Sequence, residues 1–149
     1  MPATVLPDVN VLVAAHRVDH PQHKAASDWL KRTLSGASDG QVLVLPMAVI
    51  SGFLRLVTNM RIFPTPTAAQ QAVDFVDWLL ESPSASLIGD SSEWISFRGL
   101  VLDKNLTANQ VPDAWLAALA ISMGEPFVTF DKGFRLLLPR SLLVLLPAV

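Results

Sequence analysis

Apolar and polar positions in this chain fall in blocks, and the order of the blocks predicts the elements. Thr4-Val5-Leu6 is a short apolar run that ends at Pro7-Asp8 and reads as a strand; Val9 to Ala15 follows as a helical turn or two. His20-Pro21 begins a second helix, with proline suited to the first helical position, and Gly36 is a fitting left-handed residue to end it. Gln41 to Leu45 has no polar face, the pattern of a strand buried on both sides. Pro46 opens a helix to about Thr58. Pro64-Thr65-Pro66-Thr67 forms a loop and cap before a helix that runs to Glu81. Ser86 to Gly89 is a short strand, and Ser91 or Ser92 caps a helix reaching Lys104. Pro112-Asp113 begins a further helix, closed by Gly124 and Pro126. Phe127 to Phe130 is a strand, Asp131 to Leu136 a helical turn, and Leu142 to Leu145 a last strand.

Strand and helix alternating in this way predict an α/β fold: a three-layer α/β/α sandwich on a short-stranded, mainly parallel central sheet. A chain of 149 residues suits one domain, spanning 1–149.

Composition narrows the partners. Hydrophobic residues make up 51% and charged residues 16%, against a usual charged share of about 25%, which excludes disorder as the main state. Lys+Arg 11 against Asp+Glu 13 gives a net charge of -2, so any nucleic-acid contact must come from local placement of charge. The absence of cysteine excludes disulfides, thiolate zinc sites and thiol nucleophiles. The longest apolar run, Ala114 to Ile121, is eight residues, whereas a spanning helix needs about twenty. The first ten residues do not read as a signal peptide. The expectation is a soluble, cytoplasmic protein with no membrane partner, whose spare apolar surface meets another protein.

In parallel sheets ligands bind outside the carboxyl ends of the strands. Three aspartates stand there. Asp8 follows the first strand, Asp131 follows the strand 127–130, and Asp113 lies in the first turn of the most apolar helix. Each has a plainer role open to it: Asp8 and Asp131 as caps, Asp113 as a favourable charge at a helix N-terminus. Together they make a like-charged cluster, which costs free energy unless a hard cation neutralises it. Oxygen ligands without His or Cys point to Mg²⁺ or Mn²⁺, and Mg²⁺ in turn to a phosphate ester substrate.

The chain resembles the PIN-domain ribonucleases, and among them the VapC toxins of bacterial toxin–antitoxin pairs. The resemblance rests on Leu6-Pro-Asp-Val-Asn-Val-Leu-Val-Ala-Ala-His16, Ser51-Gly-Phe-Leu-Arg-Leu-Val-Thr-Asn59, Asn109-Gln-Val-Pro-Asp-Ala-Trp-Leu-Ala-Ala-Leu-Ala120 and Val128-Thr-Phe-Asp-Lys-Gly-Phe134, in the family's order. It implies a PIN-like fold, with Asp8, Asp113 and Asp131 as catalytic metal ligands and Asn10 and Thr129 as supporting hydrogen-bonding groups. It implies a metal-dependent endoribonuclease that leaves a 5′-phosphate and a 3′-hydroxyl, a homodimer, and a VapB-like antitoxin as partner. The chain departs from the family where many relatives carry a glutamate, here Gly52 with Ser51 beside it as a supporting hydroxyl, and again at Gly133. The expectation is therefore one tightly held ion, and the alternative is a PIN-like module that binds RNA or a partner without cutting.

Arg17, Arg55, Arg61, Lys104, Lys132 and Arg135 are candidates for phosphate contact, with Arg55 the first choice because it lies one turn past Gly52. His16, His20 and His23 share no helix face and are not expected to bind zinc. Trp29, Trp78, Trp94 and Trp115 fall at apolar helix positions, and packing is expected of them. The helix Ala68 to Leu80, with Phe75, Val76, Trp78, Leu79 and Leu80, is a candidate dimer surface. A phosphoacceptor receiver domain is a poor fit, because the first strand lacks its paired acid.

Overall fold

The computed structural model describes residues 4–35, 41–88, 94–104 and 110–147. Five strands form one sheet in the order β3-β2-β1-β4-β5: β1 Thr4–Pro7, β2 Val42–Pro46, β3 Ala85–Ile88, β4 Phe127–Thr129 and β5 Leu143–Leu145. Every pairing is parallel. The helices α1 Val9–His16, α2 His23–Leu34, α3 Met47–Val57, α4 Ala69–Glu81, α5 Trp94–Lys104 and α6 Gln110–Met123 flank it. This is the predicted α/β/α sandwich. None of the described helices is long and apolar enough to cross a membrane.

The chain first steps outward from β1 through β2 to β3, then returns to place β4 and β5 on the other side of β1. That reversal makes a switch point between β1 and β4, where a parallel sheet opens a crevice at its carboxyl edge. Pro7 pairs with Val128, so the residues just beyond the two strands stand side by side at that edge. The Asp8 amide donates to Val128 O at 2.7 Å and seals the junction.

The core lies between the central strands and the helices. Leu6, Leu43, Leu45, Phe53, Phe127 and Phe134 are among its largest fully buried side chains. Strands buried on both faces need no alternation, which is why Val-Leu-Val-Leu reads as a continuous apolar run. α6 is buried over nearly all of Ala114 to Ala120, as its composition predicts. It ends in a Schellman turn: Gly124 takes φ 67°, its amide donates to Ile121 O at 3.2 Å, and the Glu125 amide donates to Ala120 O at 3.1 Å.

Several boundaries differ from the sequence expectation. α2 starts at His23, not at Pro21, because residues 17–23 close in successive turns: the His20 amide donates to Arg17 O and the His23 amide to His20 O. α6 starts at Gln110, two residues before Pro112. A proline in the first helical turn lacks only an N–H that has no intrahelical acceptor, so it need not mark the first position. β4 ends at Thr129, which leaves Phe130 between the strand and Asp131. The expected end of α2 at Gly36, the end of the third strand at Gly89 and the caps at Ser91 or Ser92 lie outside the described residues.

Candidate active site

Asp8 stands at the centre of the switch point. It is 6% exposed and caps α1, its Oδ1 accepting from the Val9 amide at 2.7 Å. The Thr129 hydroxyl, itself fully buried, donates to Asp8 Oδ2 at 2.7 Å. The same Thr129 oxygen accepts from the Asp131 amide at 3.0 Å and from Asn10 Nδ2 at 3.5 Å. One hydroxyl thus ties the ends of β1 and β4 together, and both supporting residues expected from the sequence, Asn10 and Thr129, meet at it.

The three aspartates influence one another. Burial pushes the Asp8 carboxyl up to about 6, with the charges of Asp113 and Asp131 adding to the rise and the bonds from Thr129 and Val9 opposing it. Asp113 is half-buried; burial raises its pKa first, and Asp131 raises it further. Asp8 and Asp113 line one cavity of about 560 Å³ together with Ser51, Gly52 and Arg55. Asp131 is exposed and caps the short 3-10 helix Lys132–Leu136, its Oδ1 accepting from the Gly133 amide at 2.7 Å. The capping roles open to Asp8 and Asp131 are therefore both realised, and they coexist with mutual electrostatic repulsion.

Among the described residues no three acidic or histidine side chains close into a ready-made metal cage. The chemistry of the group nevertheless suits a hard cation. Asp8 and Asp113 offer carboxylate oxygens to a shared cavity. Asn10 Oδ1, two residues beyond Asp8 in the first turn of α1, is buried with no hydrogen-bond partner among the described residues. Each engaged Asp8 oxygen keeps a second lone pair. The set contains oxygen alone, as Mg²⁺ and Mn²⁺ prefer.

Two glycines shape the site, and only their positions were visible in the sequence. A Cβ on Gly52 would sit 2.9 Å from Val9 Cγ2, so α3 approaches α1 beside Asp8 more closely than any side chain there allows. A Cβ on Gly133 would sit 2.9 Å from Asp131 Oδ1. Both close contacts involve the residue next to a site aspartate or the aspartate itself.

Ser51 and Arg55, expected on the helix beside the site, are exposed and line the cavity. Arg17, a candidate for phosphate contact, is otherwise employed. It pairs with Asp19 at 2.6 Å, donates to Thr65 O at 2.8 Å and to Thr67 Oγ1 at 3.3 Å, and lies over the Phe63 ring at 4.2 Å. The histidines hold the fold locally: His16 Nε2 meets Thr67 Oγ1, His23 Nδ1 meets Ala14 O, and His20 Nδ1 accepts from the Gln22 amide. On α4, Val76 and Leu79 face the core, which removes them from the expected dimer surface; Val73 and Trp78 remain exposed. Trp29 is buried and Trp115 half-buried, whereas Trp78 is 48% exposed against Phe75. The side chain of Trp94 lies outside the described residues.

A parallel sheet that reverses at β1, with carboxylates outside the ends of its central strands, is a doubly wound frame that several families share. The chain matches the PIN domain over residues 5–137 and belongs to that family. It is 41% identical over 128 residues to VapC ribonuclease Mb2897 of Mycobacterium bovis, covering 85% of each chain. It is 36% identical over 128 residues to ribonuclease VapC31 of Mycobacterium tuberculosis, covering 85% of this chain and 88% of that one. The fold superposes on the crystal structure of VapBC2 from Rickettsia felis bound to a promoter DNA fragment, with a TM-score of 0.69 at 15% identity, covering 97% of this chain and 99% of that one. It also superposes on VapC20 of Mycobacterium tuberculosis, described as a Sarcin-Ricin loop cleaving toxin, with a TM-score of 0.62 at 18% identity and coverage of 88% and 92%.

Proposed function

We propose that this protein is a Mg²⁺- or Mn²⁺-dependent endoribonuclease toxin of the VapC kind, acting in the cytoplasm as a homodimer and restrained by a VapB-like antitoxin. The observation that carries the reading is Asp8. A carboxylate buried at the switch point, fixed by Thr129 and opposed by the charges of Asp113 and Asp131, is costly unless a cation joins it. The VapC relatives give that arrangement a reaction.

Asp8, Asp113 and Asp131 are the residues proposed to hold the ion. When bound, a divalent cation polarises water and offsets charge on the phosphate. The protein's own groups do the rest. Val9 and Thr129 hold the Asp8 carboxylate in one orientation. Asp113, the more open of the two carboxylates lining the cavity, is assigned the proton of the attacking water. Arg55, which lines the same cavity, is assigned to the substrate phosphate, where a guanidinium binds in bidentate fashion. In-line attack forms the new P–O bond as the P–O3′ bond breaks; the departing 3′ oxygen takes a proton from solvent, which leaves a 5′-phosphate and a 3′-hydroxyl. The exposed Val73 and Trp78 of α4 are offered to the second protomer.

The test is cleavage of total RNA by the purified protein with Mg²⁺ or Mn²⁺, with EDTA as control and the product ends mapped. Cleavage that needs the metal and vanishes in Asp8→Asn, Asp113→Asn supports the reading; full cleavage by that double variant overturns it. The non-cutting alternative has one observation in its favour, the turn of Asp131 onto the Gly133 amide. RNA binding without cleavage in any divalent ion would select it.

A further inference from the structure

A second cavity, of about 430 Å³, lies outside the site just described, lined by Arg135, Leu138, Arg140, Leu143 and Leu145. We infer that it is a phosphate-binding subsite for the flanking part of a single-stranded RNA, an inference that rests on the ribonuclease reading. Arg135 belongs to the 3-10 helix capped by Asp131, and Arg140 opens the next 3-10 turn, Arg140–Leu142, which leads into β5. Both arginines are exposed. Among the described residues the ion pairs are Arg17–Asp19 and Lys24–Asp28, and neither of these two arginines takes part in one.

Among the described residues that line this cavity, both charged side chains are basic. From residue 132 to the end the sequence holds Lys132, Arg135 and Arg140 and no acid, in a chain whose net charge is -2. Two guanidiniums on one cavity, with no carboxylate among its described lining residues, present the planar donors that suit phosphate oxygens. The rest of the described lining is apolar: Leu138, which is buried, and Leu143 and Leu145, which are half-buried. That floor takes a ribose or base face and sheds water, as single-strand sites combine cations with apolar contact. The RNA occupant is favoured over an acidic peptide by continuity. Asp131 caps the short 3-10 helix whose last turn carries Arg135, so one element borders both the acidic site and this cavity.

The experiment measures binding of a fluorescent single-stranded oligouridylate to the full chain in EDTA, across a range of salt. Removing one cation from the phosphate backbone lowers the log–log salt slope by about 0.7, so Arg135→Ala, Arg140→Ala is expected to lower it by about 1.4 and to weaken binding at low salt. Arg135→Lys, Arg140→Lys is expected to restore the slope. The single variants Arg135→Gln and Arg140→Gln, each expected to show about half the effect, serve if the double variant does not fold. Binding by the parent with a slope that none of these changes moves overturns the subsite and leaves the ribonuclease reading standing. A parent that binds no RNA overturns the subsite, and the ribonuclease reading is then decided by the metal-dependent cleavage assay alone. Labelled oligoglutamate that binds the parent and not the double variant, with the RNA slope unmoved, assigns the cavity to an acidic peptide and overturns the RNA proposal.

Discussion

The Thr129 hydroxyl and the Asp8 carboxylate meet at 2.7 Å across the seam between β1 and β4. Removing that donor leaves a buried carboxylate with one partner fewer. Thr129→Val keeps the shape and takes away the bond, so it is expected to destabilise the protein by about 1–3 kcal/mol in urea unfolding. It is also expected to raise the apparent pKa of Asp8 above its present value and to lower metal-dependent cleavage. Unchanged stability and cleavage together would show that the hydroxyl does not hold Asp8.

The raised pKa of Asp8 gives the metal-free protein a distinctive pH profile. Its native value is about 6 against an ordinary 3.8. Between those values the native state keeps a proton that the unfolded chain has released, so stability falls as pH rises through that window and is already lost above it. The full effect is at most about 3 kcal/mol. Urea midpoints measured in EDTA from pH 4 to pH 7, a range set by the window and extended by roughly a unit, are expected to decline. Asp8→Asn is expected to flatten the decline and to be the more stable protein at neutral pH.

Mg²⁺ is expected to reverse that loss. A ligand that binds only the native state raises the unfolding midpoint, and here the rise is expected to be larger at neutral pH than at pH 5 or so, where Asp8 holds its proton. Thermal shift with and without Mg²⁺ reads this directly. A shift of equal size in Asp8→Asn would remove Asp8 from the ion site.

A side chain at Gly52 is expected to be costly. Gly52→Ala places a methyl 2.9 Å from Val9 Cγ2 and so drives α3 away from the helix that Asp8 caps. A loss of about 1–3 kcal/mol follows from such overpacking. Val9→Ala in the same chain is expected to recover part of it, and the double-mutant cycle measures the coupling.

The Arg17 clamp makes a prediction away from the site. Arg17→Ala removes the bonds to Thr65 and Thr67 and the stacking on Phe63. Hydrogen exchange of the Thr67 amide, which is bonded to Val57 O, is expected to quicken while β1 and β4 stay protected. Loss of protection in β4 as well would show that the clamp supports the whole fold.

The central strands were legible because a strand buried on both faces has no polar positions to break its run, and Asp8 stands out as the first acid after one. Helix starts were less legible, since proline is accepted anywhere in a first turn: Pro21 lies before α2 and Pro112 inside α6. The role of Arg17 was hidden because its partners lie forty-eight and fifty residues downstream. The Gly52–Val9 contact was hidden for the same reason, and the sequence marked only the absence of an acid. Arg140 carried no local signal; the cavity it shares with Arg135 exists only once β5 is in place.

The bond from Thr129 to Asp8 spans 121 residues of chain. A ribosome releasing this polypeptide must deliver all of that intervening chain before the two ends of the bond can meet. During synthesis Asp8 therefore emerges long before its hydroxyl donor, and the seam between β1 and β4 closes only late in folding.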